Sequence, residues 1–220
     1  MDVDSLVTTI LFLIALVISI TFHEFMHAWS ANELGDPTAK RMGRLSLNPI
    51  VHFDPIGALM IVFMAISGYG IGWGKPVPVN PGNLRGNARW SMGLTSVAGP
   101  FSNLILAALF AIPLRLISTT SLPMLGIQFL LVMVTVNVGL AIFNLIPLPP
   151  LDGFGVLQGV LATLRGRWAY DLSRTLDRLA PYGPFLLLAL LSLGWLGLGN
   201  PLWAIMEPAS SFLLGLLLGG

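Results

Sequence analysis

The chain has 220 residues, 55% of them hydrophobic and only 10% charged, where a soluble domain carries about 25% charged residues. So few charges cannot cover a water-soluble surface, and the composition indicates a polytopic membrane protein. A net charge of +1 leaves no basic patch for nucleic-acid phosphates, and the absence of cysteine excludes disulfides and thiolate-bound metal.

In chain order, Ser5 to Phe22 carries no charge, and its helical pattern runs on to about Asn32. That length crosses the roughly 30 Å of a bilayer's hydrocarbon. An acidic flank (Asp2, Asp4) and no small-residue cleavage site predict a mature first transmembrane helix rather than a signal peptide. The first polar break is His23-Glu24-Phe25-Met26-His27, followed by a polar stretch to Asp54 that carries Lys40, Arg41 and Arg44. Ile56 to Trp73 is apolar and glycine-rich, and the prolines of Lys75 to Pro81 force an extended path. Arg89 and Arg115 bracket a third apolar segment. A fourth follows the turn Ser118-Thr119-Thr120-Ser121 and is closed by Pro147, Pro149 and Pro150 before Asp152. Gly153 to Arg178 is amphipathic and basic, as expected of a helix on the membrane surface. Pro181 to Gly199 and Pro201 to Gly220 are two last apolar segments. No internal repeat and no separate soluble domain is evident. The expected fold is an all-α polytopic membrane protein with about six apolar segments. A Pro/Gly-rich re-entrant or short β element is expected after the second.

The topology follows from chemistry. The polar groups of segment one lie near its C-terminal end, and Asp152 lies just past the end of segment four. They meet only if the two helices run parallel, so one intervening segment must fail to cross. Ile56 to Trp73 is the candidate, because irregular backbone at membrane depth is acceptable where it is buried or lines a wet cavity. With the N-terminus outside, ten of the eleven basic residues are then cytoplasmic and only Arg115 is outside, in agreement with the positive-inside rule. Trp29, Trp73, Trp90 and Trp168 fall near the cytoplasmic interface, where aromatic belts form.

The pattern His-Glu-x-x-His places two imidazoles at i and i+4 on one helix face, within reach of one metal ion. Glu24 is not needed as a ligand and is free to act as a base. With three His and three Glu in the chain, the pattern arises by chance on the order of 10⁻³ times. A catalytic zinc site usually has three protein ligands, so a third is sought in His52 or a carboxylate. Asp152 ends a long apolar helix opposite the His pair, with Gly153 freeing the backbone to turn. The alternative for Asp152 is a helix cap, and for His52 an interfacial residue packed beside Asp54. Glu207, followed by Pro208 inside the last apolar segment, is expected to mark a break between shorter segments at the membrane surface.

HEFMHAWSANELGDPTAKRMGRLSLNPIVHFDPIG and NLIPLPPLDG resemble the two signature regions of the site-2 protease family of intramembrane metalloproteases. The second matches that family's Asn-x-x-Pro-x-x-x-Leu-Asp-Gly pattern at Asn144, Pro147, Leu151, Asp152 and Gly153. Gly99-Pro100-Phe101-Ser102-Asn103 is similar to its Gly-x-x-x-Asn element. The resemblance implies one zinc ion on His23, His27 and Asp152 with Glu24 catalytic, and Asn144 near the active site in contact with substrate backbone. Asn103 is grouped with Asn144 as substrate-binding. The resemblance also implies that Trp73 to Pro81 would correspond to a membrane-embedded β structure, and an edge near Val77 and Val79 is expected to capture an unwound substrate. No counterpart of the family's PDZ or nucleotide-sensing domains is seen. The expected protein is a single membrane-embedded metalloprotease domain over 1–220, with a catalytic core of about 5–165 and C-terminal apolar segments of about 181–220. It would cleave transmembrane proteins in regulated intramembrane proteolysis, from a prokaryotic plasma membrane with the site toward the cytoplasm. The alternatives are a membrane metal transporter and an inactive homologue acting as a chaperone.

Overall fold

The charge-free N-terminal run forms one helix, α1 (Val3–Glu33), of 31 residues, about 46 Å long. The computed structural model describes residues 3–67, 73–116 and 122–219. A row of small and polar residues at i, i+4 spacing (Ala15, Ser19, His23, His27, Ala31) lies on the buried side of α1, which lets neighbouring helices approach closely. After α1 the chain turns at Gly35, whose φ is +109°. Asp36, fully buried, then accepts hydrogen bonds from the Thr38 backbone and hydroxyl, the Asn80 N–H and the Asn83 amide. It thereby ties this loop to a 3-10 turn at Pro81–Asn83. The one-turn helix α2 (Thr38–Arg41) and a 3-10 turn at Pro49–His52 complete the polar stretch.

Asp54 then caps α3 (Pro55–Ser67) by accepting from the Ile56 and Gly57 N–H groups. At 13 residues, α3 is only about 20 Å long, short of a bilayer's hydrocarbon thickness. Phe53 pairs with Gly74 in an antiparallel bridge, and the Lys75 N–H donates to the His52 carbonyl at 2.8 Å. The chain therefore returns beside the point from which it left. Part of the expected segment Ile56 to Trp73 lies outside the described residues. A re-entrant or short β element was expected here, and the only β pairing among the described residues is that bridge. Pro76 and Pro78 explain this, since neither can donate to a ladder.

Two long helices follow, α4 (Ala88–Leu116) and α5 (Met124–Leu145). The expected turn Ser118 to Ser121 between them lies outside the described residues. His27 meets Thr95 and His23 meets Asn103, so α4 runs antiparallel to α1. Leu16 and Ile20 pack with Val136 and Leu140, and Asp152, beyond α5, reaches His23. Helix α5 is thus parallel to α1, as the chemistry required.

The stretch Gly153 to Arg178, expected as one surface helix, is two. Helix α6 (Asp152–Thr163) packs closely on α4 through glycines. A Cβ on Gly93 would lie 2.8 Å from the Gly159 Cα, and one on Gly155 would lie 2.1 Å from the Ser96 hydroxyl. The break comes at Gly166, with φ +149°. Only α7 (Arg167–Leu179) is strongly amphipathic. It is docked by Asp177, which accepts from Arg89 at 2.7 Å and Gln158 at 2.9 Å.

A 3-10 turn, Ala180–Tyr182, leads into α8 (Gly183–Trp195), and α9 (Pro201–Leu218) ends the fold. Helix α8 starts against Pro149, where Gly183 leaves no room for a Cβ. Helix α9 starts with Leu202 packed beside Ile146, Leu151 and Leu187. Both therefore begin at the same end of the bundle, and α8 does not carry the chain across it. Helix α9 does: its Leu213, Leu214 and Leu217 join a core of Ala107, Ala111, Val134 and Val138. Arg115 donates to the Leu216 carbonyl at 3.2 Å at the far end. Among the described residues five helical runs are long and apolar enough to cross a membrane: α1, α4, α5, Arg167–Gly194 and α9. The second of the about six apolar segments expected, which the topology required not to cross, is represented by a shorter apolar helix, Pro55–Met64.

Candidate metal centre

His23 and His27 sit one turn apart on the buried row of α1, and each is 8% exposed. Asp152 is the first residue of α6, yet Leu151 holds the N-cap position without a side-chain cap bond. The Asp152 carboxylate does not serve the helix. It faces the imidazoles, with Oδ2 3.1 Å from His23 Nε2 and Oδ1 3.3 Å from His27 Nε2. The two Nε2 atoms are 3.0 Å apart. Gly153 has no left-handed backbone; its role is steric. A Cβ there would lie 2.2 Å from the Leu145 carbonyl oxygen, so glycine lets α6 start hard against the end of α5.

The far sides of the rings are fixed as well. His23 Nδ1 lies 2.7 Å from Asn103 Oδ1, and His27 Nδ1 lies 2.7 Å from the Thr95 carbonyl oxygen. Both partners only accept hydrogen bonds, so each ring carries its proton on Nδ1 and presents a bare Nε2. Two bare lone pairs and a carboxylate, all within 4.8 Å of one another, repel unless a cation lies between them. Asp152 Oδ2 is also buried without a hydrogen-bond partner. A four-coordinate zinc ion with bonds of about 2.0–2.2 Å would separate its ligand atoms by roughly 3.3–3.5 Å, close to the distances observed. The residues present therefore fit zinc, with a carbonyl behind each imidazole in the usual outer-shell arrangement. Gly99 provides the space: a Cβ there would lie 2.4 Å from His27 Nε2 and 2.7 Å from His23 Nε2.

Glu24, adjacent to His23, lines a cavity of about 780 Å3 that also contains His23, His27 and Asp152. Its Oε2 is buried without a partner, and its Oε1 faces Gly74, where a Cβ would approach to 3.4 Å. The cavity walls are otherwise mostly apolar, from α1, α3, α5 and α8. Val77, Val79 and Asn144 line it too. Asn144 donates to the Leu140 carbonyl at 3.0 Å.

Asn103, grouped with the substrate-binding residues, is not brought to the cavity wall in this structure. Asn103 is fully buried, lies outside the cavity lining, and commits its amide to His23, Ser19 and Asn137. The motif gave its proximity but not its direction. His52 is also away from the triad: it is fully buried, with Nε2 2.6 Å from the Ser46 carbonyl oxygen. Glu207 is exposed on α9, inside an unbroken helix rather than at a break.

Three features escaped sequence reasoning. The Thr95 carbonyl leaves no mark on residue identity. Arg44, 5% exposed, donates to the Lys75 carbonyl and so braces the extended segment from behind. Burial lowers the pKa of its guanidinium, and the charge of Glu24 counters that shift. Leu187 and Leu191 of α8 form a cavity wall, but a uniformly apolar helix gives no signal of which face is used.

An all-helical bundle that turns two imidazoles, a carboxylate and a neighbouring free glutamate toward one apolar cavity is the architecture of a membrane-embedded metalloenzyme. The family model described as Peptidase family M50 matches residues 113–190, a stretch that includes Asp152. A Bacillus subtilis protein named "Putative zinc metalloprotease YwhC" is 41% identical over 154 residues, covering 67% of this chain and 68% of that protein. Two proteins named "Putative zinc metalloprotease Rip2" are also similar. The one from Mycolicibacterium smegmatis is 30% identical over 64% of this chain, and the one from Mycobacterium tuberculosis 32% identical over 64%. The match spans about half the length of each Rip2, 54%. No solved structure matches the chain. The chain belongs to peptidase family M50, the site-2 protease family, and is a zinc metalloprotease with several membrane-spanning helices.

Proposed function

We propose that this protein is an intramembrane zinc metalloendopeptidase that cuts peptide bonds in or near transmembrane segments of other membrane proteins, as a step of regulated intramembrane proteolysis. The observation that carries this reading is the convergence of His23, His27 and Asp152 beside Glu24 in an apolar cavity of about 780 Å3. A cavity of that size between helices accepts an apolar segment, not merely an ion. The working unit is one domain over 1–220, with its core at about 5–165.

In this reading His23, His27 and Asp152 hold the metal. Zinc, when bound, supplies a Lewis acid that polarises the scissile carbonyl and acidifies water. Glu24 accepts the proton of the attacking water and returns it to the leaving amine. A transmembrane helix satisfies its own carbonyls, so the substrate must unwind before it is cut. Val77 and Val79 flank the unwound stretch, and Asn144, whose carbonyl oxygen accepts no hydrogen bond among the described residues, contacts its backbone. The protein sits in a prokaryotic plasma membrane with its N-terminus outside and the site toward the cytoplasm. The end of the bundle at which α1 finishes carries the basic loops around Lys40, Arg41 and Arg85, while Arg115 is alone at the other end.

Wild type and Glu24→Gln, purified in detergent, are to be tested on a panel of single-span membrane proteins. Wild-type cleavage is expected to be lost with a chelator and restored by zinc. Glu24→Gln is expected to bind zinc normally and cleave at least about 10²-fold more slowly. Zinc binding with no cleavage of any substrate would overturn the reading in favour of a metal transporter or an inactive homologue.

A further inference from the structure

Two asparagines are buried side by side between α1, α4 and α5, and both are fully covered. Buried amides of this kind are tolerated only when fully hydrogen-bonded. An amide can be turned end for end without changing shape, so its orientation is set by its neighbours. Here the neighbours leave one answer. Asn137 lies 2.8 Å from the Met133 carbonyl oxygen, which can only accept, so the Asn137 amide nitrogen faces it. The Asn137 oxygen therefore faces Asn103, which must present its nitrogen at 2.8 Å. That same nitrogen also donates to the Ser19 carbonyl at 3.2 Å. The Asn103 oxygen is left to face His23, and it takes the Nδ1 proton.

We propose that Asn137 is a positioning residue for the metal centre. Acting through Asn103, it holds His23 in the tautomer that offers Nε2 to zinc. The proposal rests on His23 being a zinc ligand. The two ligand histidines differ in this respect. His27 is oriented by a backbone carbonyl, that of Thr95, which cannot flip. His23 is oriented by an amide that can. With its orientation reversed, Asn103 would donate to His23 Nδ1 and drive the proton to Nε2, where it blocks the metal. Without the Asn137 oxygen, only the longer contact to Ser19 opposes that reversal.

The test uses the full chain in detergent, loaded with zinc and labelled with 15N-histidine, together with zinc affinity measured by competition with a chromophoric chelator. His52 is an internal reference, because its Nε2 faces the Ser46 carbonyl and the opposite tautomer is expected there. In wild type, His23 is expected to carry its proton on Nδ1. Asn137→Leu is expected to show a shifted and broadened His23 Nδ1–H signal and a zinc affinity about 10–100-fold weaker. Asn137→Asp, which keeps the acceptor for Asn103 but loses the donor to the Met133 carbonyl, is expected to lower the unfolding temperature while keeping the wild-type His23 tautomer and zinc affinity. If Asn137 only stapled helices together, Asn137→Leu would lower the unfolding temperature of the metal-free protein and leave the His23 Nδ1–H signal and zinc affinity alone. That result would overturn the proposal. So would a wild-type His23 protonated on Nε2, a measurement that stands even if Asn137→Leu does not fold. Absence of zinc binding by wild type would instead refute the assignment of the metal centre itself.

Discussion

Gly99 does no chemistry, yet the metal centre depends on its lack of a side chain. A methyl group at this position would enter the space between His23 and His27. Gly99→Ala is therefore expected to keep the helical fold and lose zinc affinity by at least about tenfold, the low end of losses seen when ligand surroundings are disturbed. Metal content of the purified variant checks this. At this scale the sequence was informative wherever chemistry demands a residue type. The His pair showed itself by spacing on one helix, and Asp152 by its place at the end of an apolar run. It was silent on the Thr95 carbonyl, which any residue would supply. It placed Asn103 near the site without its bond to His23, because a motif records nearness and not which atom a side chain addresses. Gly153 was legible as necessary but for the wrong reason: it clears the Leu145 carbonyl rather than permitting a turn.

Among the elements, the contact of α4 with α6 does most to bring Asp152 to the histidines. Gly93 and Gly159 let the two backbones meet, and neither position has room for a Cβ. Gly93→Leu is expected to separate them, to destabilise the protein by about 1–3 kcal/mol as overpacking does, and to lower zinc occupancy. Thermal unfolding with and without zinc would show both effects. The extended segment beside the cavity makes a different prediction. Val77→Pro combined with Val79→Pro would remove two of the segment's remaining N–H groups. This double variant is expected to abolish cleavage while zinc binding persists, measured on the substrate panel and by chelator competition. Unchanged cleavage would rule out capture of substrate along this segment. Sequence periodicity located the long helices well, because charge-free runs bounded by arginine or proline have few other solutions. It merged α6 with α7, since the glycines that sink α6 into α4 do not alter its average polarity. It also expected a re-entrant or short β element, where a single bridge is the only β pairing among the described residues.

For the whole molecule, the parallel course of α1 and α5 was deducible because the ligands had to meet. The return of the chain at the Phe53–Gly74 bridge supplies the means. The passage through α8 was not deducible. Its apolar composition suits a spanning helix, and only packing reveals that α9 starts at the same end of the bundle. Because the chain has no cysteine, its disposition can be read by single-cysteine labelling in intact cells. Arg115→Cys is expected to react with an impermeant maleimide from outside. Lys40→Cys and Arg167→Cys are expected to react only after the cells are opened. Labelling of Lys40→Cys from outside would invert the orientation.

Pro76 and Pro78, alternate residues of the braced segment along the cavity, have a consequence for assembly. Neither carries an N–H, so at those positions the backbone can accept hydrogen bonds but not give them. Two copies of the protein paired along the edge that these two prolines face would oppose oxygen to oxygen there, and would gain no ladder on that edge. A chain with free N–H groups would meet no such barrier. That edge is thereby closed to its own kind and open to strangers, which guards it against self-association.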